Sequence, residues 1–509
     1  MVSASDEVKT ESGAVRGITQ DGVVSFKGIP FAAPPVGPLR WKPPQPPAPW
    51  TTVRPSTDYG HDCMQRPFIE DLAPLRTTPN EDCLYVNVWT PLPAAVSKLP
   101  VMVWIYGGGW VNGGSSPAVY DGTQFARQGV VLVSFNYRVG RFGYFAHPAL
   151  AAESPSGPLG NYGYMDQIAA LKWVQHNIEA FGGDPKKVTI FGESAGGGSV
   201  LAMMASPMAQ GLFQQAIVES APARDGAGGM TQMKGKSGFF SKATGESAAL
   251  AFAKSKGING TDAAALDALR RLSPDDVVDG LNMMSIFSAI KTFVGPMVDG
   301  QLLPESPQAA FQAGRQMKVP LLIGATNRDI GISFARNIQE VMFPFGLNQM
   351  KAYAVYDPQH TNDAKVVGAA VASDRLMVEP MRFIARQQSA AGQPTYAYRF
   401  SYVPVADRAQ VDGAHHATEL AFVFNTVANA AYVSKLDTAD SAMALTVNAY
   451  WVAFAKSGDP NAGGRPRTKW PAYAADSDTI LDFTSDGAVA GPDPWKARLD
   501  LVEKIAGKP

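Results

Sequence analysis

The chain has 509 residues, 46% hydrophobic and 17% charged, a composition that buries a large core and argues against disorder. Its 44 Lys+Arg against 45 Asp+Glu leave a net charge of -1, without the basic excess that a phosphate backbone or an anionic membrane surface would need, so nucleic acid is not an expected partner. No apolar run reaches the roughly 18 to 20 residues that a membrane-spanning helix requires.

The N-terminus, MVSASDEVKTESG, lacks a basic stretch followed by an apolar one. A polar, small-residue start is expected of a mature chain whose signal peptide has been removed, which points to a secreted or periplasmic protein, with the cytoplasm as the alternative. From Phe26 to Trp50 the text FKGIPFAAPPVGPLRWKPPQPPAPW is so rich in proline that it predicts an extended surface wrap, neither helix nor central strand. Cys63 and Cys83 are the only two cysteines; their spacing suits one small-loop disulfide or, equally, two buried reduced thiols, and it supplies no metal cluster.

Two buried strands follow: LPVMVWIYGGGW, closed by Gly107 to Gly109, and VVLVSFNYRVG from Val130 to Gly140, which read as parallel neighbours. After Gly160, apolar residues at Ile168, Leu171, Trp173, Val174 and Ile178 keep helical spacing until Gly182 and Gly183. A short strand from Val188 to Phe191, a turn at Gly192 to Gly196 and a second helix come next. Further strands are expected at FQQAIVES before Ser220, VPLLIGA before Thr326, and TYAYRFSYV from Thr395 to Val403. Such alternation predicts an α/β protein with a large, mostly parallel central sheet flanked by helices. Helical stretches at about 228–290 and 347–388 should form lid and gorge-wall insertions, and with no repeat or long polar linker residues 1–509 read as a single domain.

Gly192-Glu193-Ser194-Ala195-Gly196 is a G-x-S-x-G between strand and helix, the turn that holds a nucleophilic serine proud of a sheet. A glycine-rich helix entry can also cradle phosphate, but no P-loop lysine or dinucleotide fingerprint lies nearby. A serine nucleophile needs fixed N–H donors for the oxyanion; Ala195, just after it, supplies one, and the Tyr106-Gly107-Gly108-Gly109-Trp110 loop stands where the others belong. The six histidines are His61, His147, His176, His360, His415 and His416; the order serine, acid, histidine leaves the last three as bases, and His176 reads as structural. Asp329, on the loop after LLIG, is the candidate acid.

These residues resemble the type-B carboxylesterase and cholinesterase family over nearly the whole chain. FGESAGG around Ser194, EDCLYVNVW from Glu81 to Trp89, WIYGGGW, NYRVGRFGYF, GNYGYMDQ, FGGDP, GPMVDG, SGDPN and DPWKARLD follow the family's motifs in order. The resemblance implies the α/β-hydrolase fold and a carboxylic-ester hydrolase working on a small-molecule ester with no cofactor and no metal. It implies oxyanion donors at Gly108, Gly109 and Ala195, a Cys63–Cys83 disulfide, and His416 as the base, because HATELAFVF matches the family's His-Gly-x-Glu block. Glu193, Ser220 and Glu419 then surround the triad, and Trp110 with the apolar stretch from Met283 to Phe293 lines the acyl side. The departure is at the acid: where the family shows Asp-Glu-Gly this chain reads Arg328-Asp329-Ile330-Gly331. Counting from Gly324 selects Asp329 and counting from Gly331 selects Ile330; only a carboxylate can hold the imidazole in its working tautomer. Amide, carbamate or lactone cleavage on the same residues, or a silent binding module of the same fold, are the alternatives. A polyanionic ester would need basic residues at the mouth, for which Arg224, Lys234 and Lys236 are candidates. Oligomeric state is not legible.

Overall fold

The computed structural model describes residues 6–92, 98–154, 157, 159–225, 230–235, 243–287, 291–463 and 467–506. The chain divides into two compact units, residues 1–214 with 230–306, and residues 215–229 with 307–509.

In the first unit the LPVMVWI run forms the strand Leu99–Ile105, and Val101 through Ile105 have no exposed surface, as a strand covered on both faces requires. It lies parallel to Val131–Phe135 on one side and Gly183–Glu193 on the other. Outward from Val131–Phe135 the pairing turns antiparallel, through Tyr85–Pro91 and Val23–Pro30 to the short edge strand Ile18–Gln20. The strand Val23–Pro30 corrects the expectation for the proline-rich segment, because Phe26 to Pro30 are laddered inside the sheet. Phe26 to Ile29 contain no proline, and a register shift between Phe26 and Ile29 absorbs the turn toward the prolines. Beyond Pro30 the segment has no strand before Arg54–Pro55, and its one helical turn, Gly37–Leu39, starts with proline at the position where a missing N–H costs nothing.

The helix Tyr162–Asn177 buries most of its length, continues as a tight turn Ile178–Phe181, and is stopped by Gly182 at φ 84. Cys63 and Cys83 form the disulfide, their Cα atoms 4.9 Å apart. The predicted helical region at 228–290 holds the helices Gly245–Ser255, Ala263–Arg270 and Pro274–Val278.

In the second unit Gln215–Glu219, Leu321–Thr326, Thr395–Phe400 and Thr479–Thr484 pair parallel in that order, and Gly487–Pro492 closes the edge as an antiparallel hairpin. The predicted region at 347–388 holds Gln349–Tyr356, Ala364–Ser373 and Glu379–Ala390. Two of these, with the preceding Ile338–Met342 and the tight turn Phe343–Asn348, pack Met342, Phe345, Tyr356 and Val371 against Leu501 and Val502 of the C-terminal helix Lys496–Ile505. Phe343, Leu347 and Met350 on that turn and the helix after it are exposed. Among the described residues no helix is long and apolar enough to cross a membrane.

Candidate active site

Ser194 sits between the strand Gly183–Glu193 and the helix Ala195–Ala205 at φ 56, ψ -124, a backbone conformation that costs a non-glycine residue energy and is held by its surroundings. Both flanking glycines are required by contact. A Cβ on Gly196 would drive into the Ile105 carbonyl, and one on Gly192 would lie 2.6 Å from the Gly196 carbonyl carbon. The turn therefore forms only where two side chains are missing, and the serine between them is 6% exposed.

The glycine loop after Leu99–Ile105 rests on this turn. A Cβ on Gly107 would stand 2.8 Å from the Glu193 carbonyl oxygen, 2.9 Å from its Oε2 and 3.0 Å from the Ser194 Cβ. Gly108 and Gly109 have φ 95 and 62, and the Gly108 carbonyl accepts from Val111 and Asn112, which curls the loop. Behind it Tyr106 and Tyr137 are stacked at 4.3 Å between ring centroids, and the Tyr137 hydroxyl donates to the Tyr106 carbonyl at 2.8 Å. Met283 Sδ and Ile286 Cδ1 crowd Gly109, at 2.7 and 2.8 Å from where its Cβ would stand. Residues 288–290 of that stretch lie outside the described residues.

In the second unit Asp329 and His416 are bonded, Nδ1 to Oδ1, at 2.6 Å. Sequence reasoning missed what brings them together. Arg328 N–H donates to the Ala414 carbonyl at 2.9 Å, Ala414 N–H donates to Asn327 Oδ1 at 2.7 Å, and Arg328 and His415 form an isolated parallel β-bridge. The next residues on the two strands of that bridge are Asp329 and His416. Asp329 also accepts from the N–H groups of Ile330 at 2.8 Å and Thr326 at 3.2 Å. Burial opposes its charge, but His416, the Ser220 hydroxyl and the Ile330 N–H together hold the carboxyl below the usual carboxylate range. For His416 burial pulls downward, and the negative charges of Asp329 and Glu419 outweigh it, so the imidazole titrates above its ordinary value.

Glu193, Ser220 and Glu419 are all buried, and Ser220 N–H donates to the Gly324 carbonyl at 2.8 Å. His415, next to the bonded histidine, is exposed and 3.9 Å from Asp412, and His176 is exposed beside Glu11. A cleft of about 630 Å³ in this unit is lined by Asp329, His416, Ile330, Ile332, Val366 and Trp495. Arg224 is committed to the buried Glu379 and stacks on Phe383, and Lys234 lies 3.7 Å from Glu246; Lys236 is outside the described residues. Glu219, one residue before Ser220, is buried, accepts a hydrogen bond from Trp451 Nε1 at 2.7 Å, and burial pushes its carboxyl up to about 8. Among the described residues no group of three or more His, Cys, Asp or Glu is placed to hold a metal ion.

Comparison with known proteins agrees with this architecture. The profile of the carboxylesterase family matches residues 4–492. The chain is 38% identical to the para-nitrobenzyl esterase of Bacillus subtilis, over 94% of this chain and 95% of that protein. It is 34% identical to the fumonisin B1 esterase of Sphingopyxis macrogoltabida, over 96% and 88% respectively. A solved structure of PNB esterase superposes with a TM-score of 0.81 at 34% identity, covering 97% of this chain and 99% of the other. The chain has the α/β-hydrolase fold of these esterases and belongs to the carboxylesterase family, the hydrolases of carboxylic esters.

Proposed function

We propose that the chain hydrolyses carboxylic esters through Ser194, His416 and Asp329 by way of an acyl-enzyme. The Asp329–His416 bond carries this reading: with Nδ1–H given to a buried carboxylate, the neutral ring keeps its lone pair on Nε2 and is a base in a fixed tautomer. In this reading His416 takes the Ser194 proton as Ser194 attacks the carbonyl carbon. The N–H groups of Gly108, Gly109 and Ala195 stabilise the oxyanion. His416 then returns the proton to the departing alcohol, and water, activated in the same way, releases the acid.

Met283 and Ile286 beside Gly109 favour an apolar acyl group, and the engagement of Arg224 and Lys234 with carboxylates argues against a polyanionic substrate. The Cys63–Cys83 bond supports a secreted or periplasmic location, since such bonds persist in oxidising compartments. A p-nitrophenyl ester and the isosteric anilide decide between ester and amide chemistry: kcat/KM is expected to favour the ester by about 100-fold or more, a barrier difference of about 2.7 kcal/mol. Equal or faster anilide cleavage would make the chain an amidase.

A further inference from the structure

Trp110 follows Gly109 and stands at φ 58, a conformation that a bulky residue adopts only when its surroundings enforce it. Two bonds do so. Its carbonyl accepts the Gly140 N–H at 2.7 Å, and its indole Nε1–H donates to Ser199 Oγ at 3.1 Å. Ser199 is fully buried on the helix that begins at Ala195. Its hydroxyl donates to the Ala195 carbonyl at 2.9 Å and accepts a second N–H from Gln167 Nε2 at 3.1 Å. A hydroxyl has one proton and two lone pairs, so one donated and two accepted bonds match its capacity.

The result is an unbroken chain from Gly109 through the Trp110 indole and the Ser199 hydroxyl to Ala195. Its two ends are the two separate sources of oxyanion N–H groups, a loop on one side and a helix start on the other. Donors stabilise a developing charge only if they already point at it, and a misplacement of about 1 Å costs about 100-fold in rate. Gly107 already packs closely on Glu193 and Ser194, and the Trp110–Ser199 bond adds a directional link from the far end of the loop to the helix.

We infer that Ser199 and Trp110 are positioning residues that tie the oxyanion loop to the nucleophile helix, so that Trp110 serves the geometry of the N–H groups rather than forming a wall for substrate. This rests on Gly108, Gly109 and Ala195 being the oxyanion donors. The test is a double-variant cycle with Ser199→Ala and Trp110→Phe, the second of which keeps an aromatic ring and removes the donor together with part of the indole. It is read by kcat and KM on a p-nitrophenyl ester and by the inhibition constant of an aryl trifluoromethyl ketone, whose serine adduct places an oxyanion in the hole. Each single variant is expected to lose about 10- to 100-fold in kcat and a similar factor in ketone affinity, with KM changed less than about 3-fold. The double variant should be no worse than the poorer single one, because both remove the same tie.

Retained kcat and ketone affinity with an altered KM, or losses that multiply in the double variant, would overturn the inference. Should Ser199→Ala fail to fold, Trp110→Phe alone decides by the same split. Wild-type turnover abolished in Ser194→Ala shows the catalytic reading intact, so unimpaired tie variants then count against the tie alone. Wild-type protein inert toward both ester and ketone would remove the catalytic reading and the tie with it.

Discussion

A carboxylate on an aspartate is one methylene shorter than on a glutamate, so Asp329 reaches an imidazole only if its backbone stands closer. The bridge between Arg328 and His415 supplies that approach and leaves Asp329 Oδ1 2.6 Å from His416 Nδ1. Ile330, which the other register would select, gives its N–H to the same carboxylate. The pair favours its ionised form, with the His416 value raised and the Asp329 value lowered. Because the base must be neutral, kcat/KM is predicted to fall as pH drops through the raised His416 value, above the ordinary imidazole value near 6.5. Asp329→Asn removes the main charge that raises it, so the acid limb should move to lower pH while kcat falls by about 1,000- to 10,000-fold. A pH profile of both proteins checks this; an unmoved limb and a small loss in kcat would take Asp329 out of the role of acid.

At the scale of elements, the strands and the strand-to-helix turn at Ser194 were legible because a buried parallel strand is a short apolar run and the turn needs glycine on both sides of the serine. The Phe26–Trp50 segment was misread at its start, because the weight of prolines downstream concealed five residues of strand before them. The loops of Asp329 and His416 were legible as separate pieces only. What joins them is carried by Asn327 and Gly413, ordinary loop residues in the sequence. A Cβ on Gly413 would collide with the Arg328 side chain and stand 2.7 Å from Asn327 Oδ1, the acceptor that holds Ala414. Gly413→Ala is therefore predicted to spread the two loops, costing about 1 to 3 kcal/mol of stability and lowering kcat by more than stability alone explains. Thermal melts beside ester turnover measure both, and a variant with wild-type kcat would show that the bridge does not govern the pair.

For the whole molecule, motifs spread from Glu81 to Asp500 made the family legible before any coordinate, and the family profile spans residues 4–492. Composition and motif order could not show which charges are neutralised. Arg224 and Lys234 counted as possible anion contacts until their carboxylate partners were placed, 155 and 12 positions along the chain. Nor could spacing choose between thiols and a disulfide for Cys63 and Cys83, since loop length fixes the cost of closure but not the redox state. The central claim is that one serine in this chain is the nucleophile, and it is tested most directly by treating the folded protein with a fluorophosphonate and mapping the adduct by mass spectrometry beside Ser194→Ala. A single adduct on Ser194, with loss of ester turnover in proportion to labelling and neither labelling nor turnover in the variant, is the predicted result. Labelling of another residue, or turnover that survives in Ser194→Ala, would contradict it.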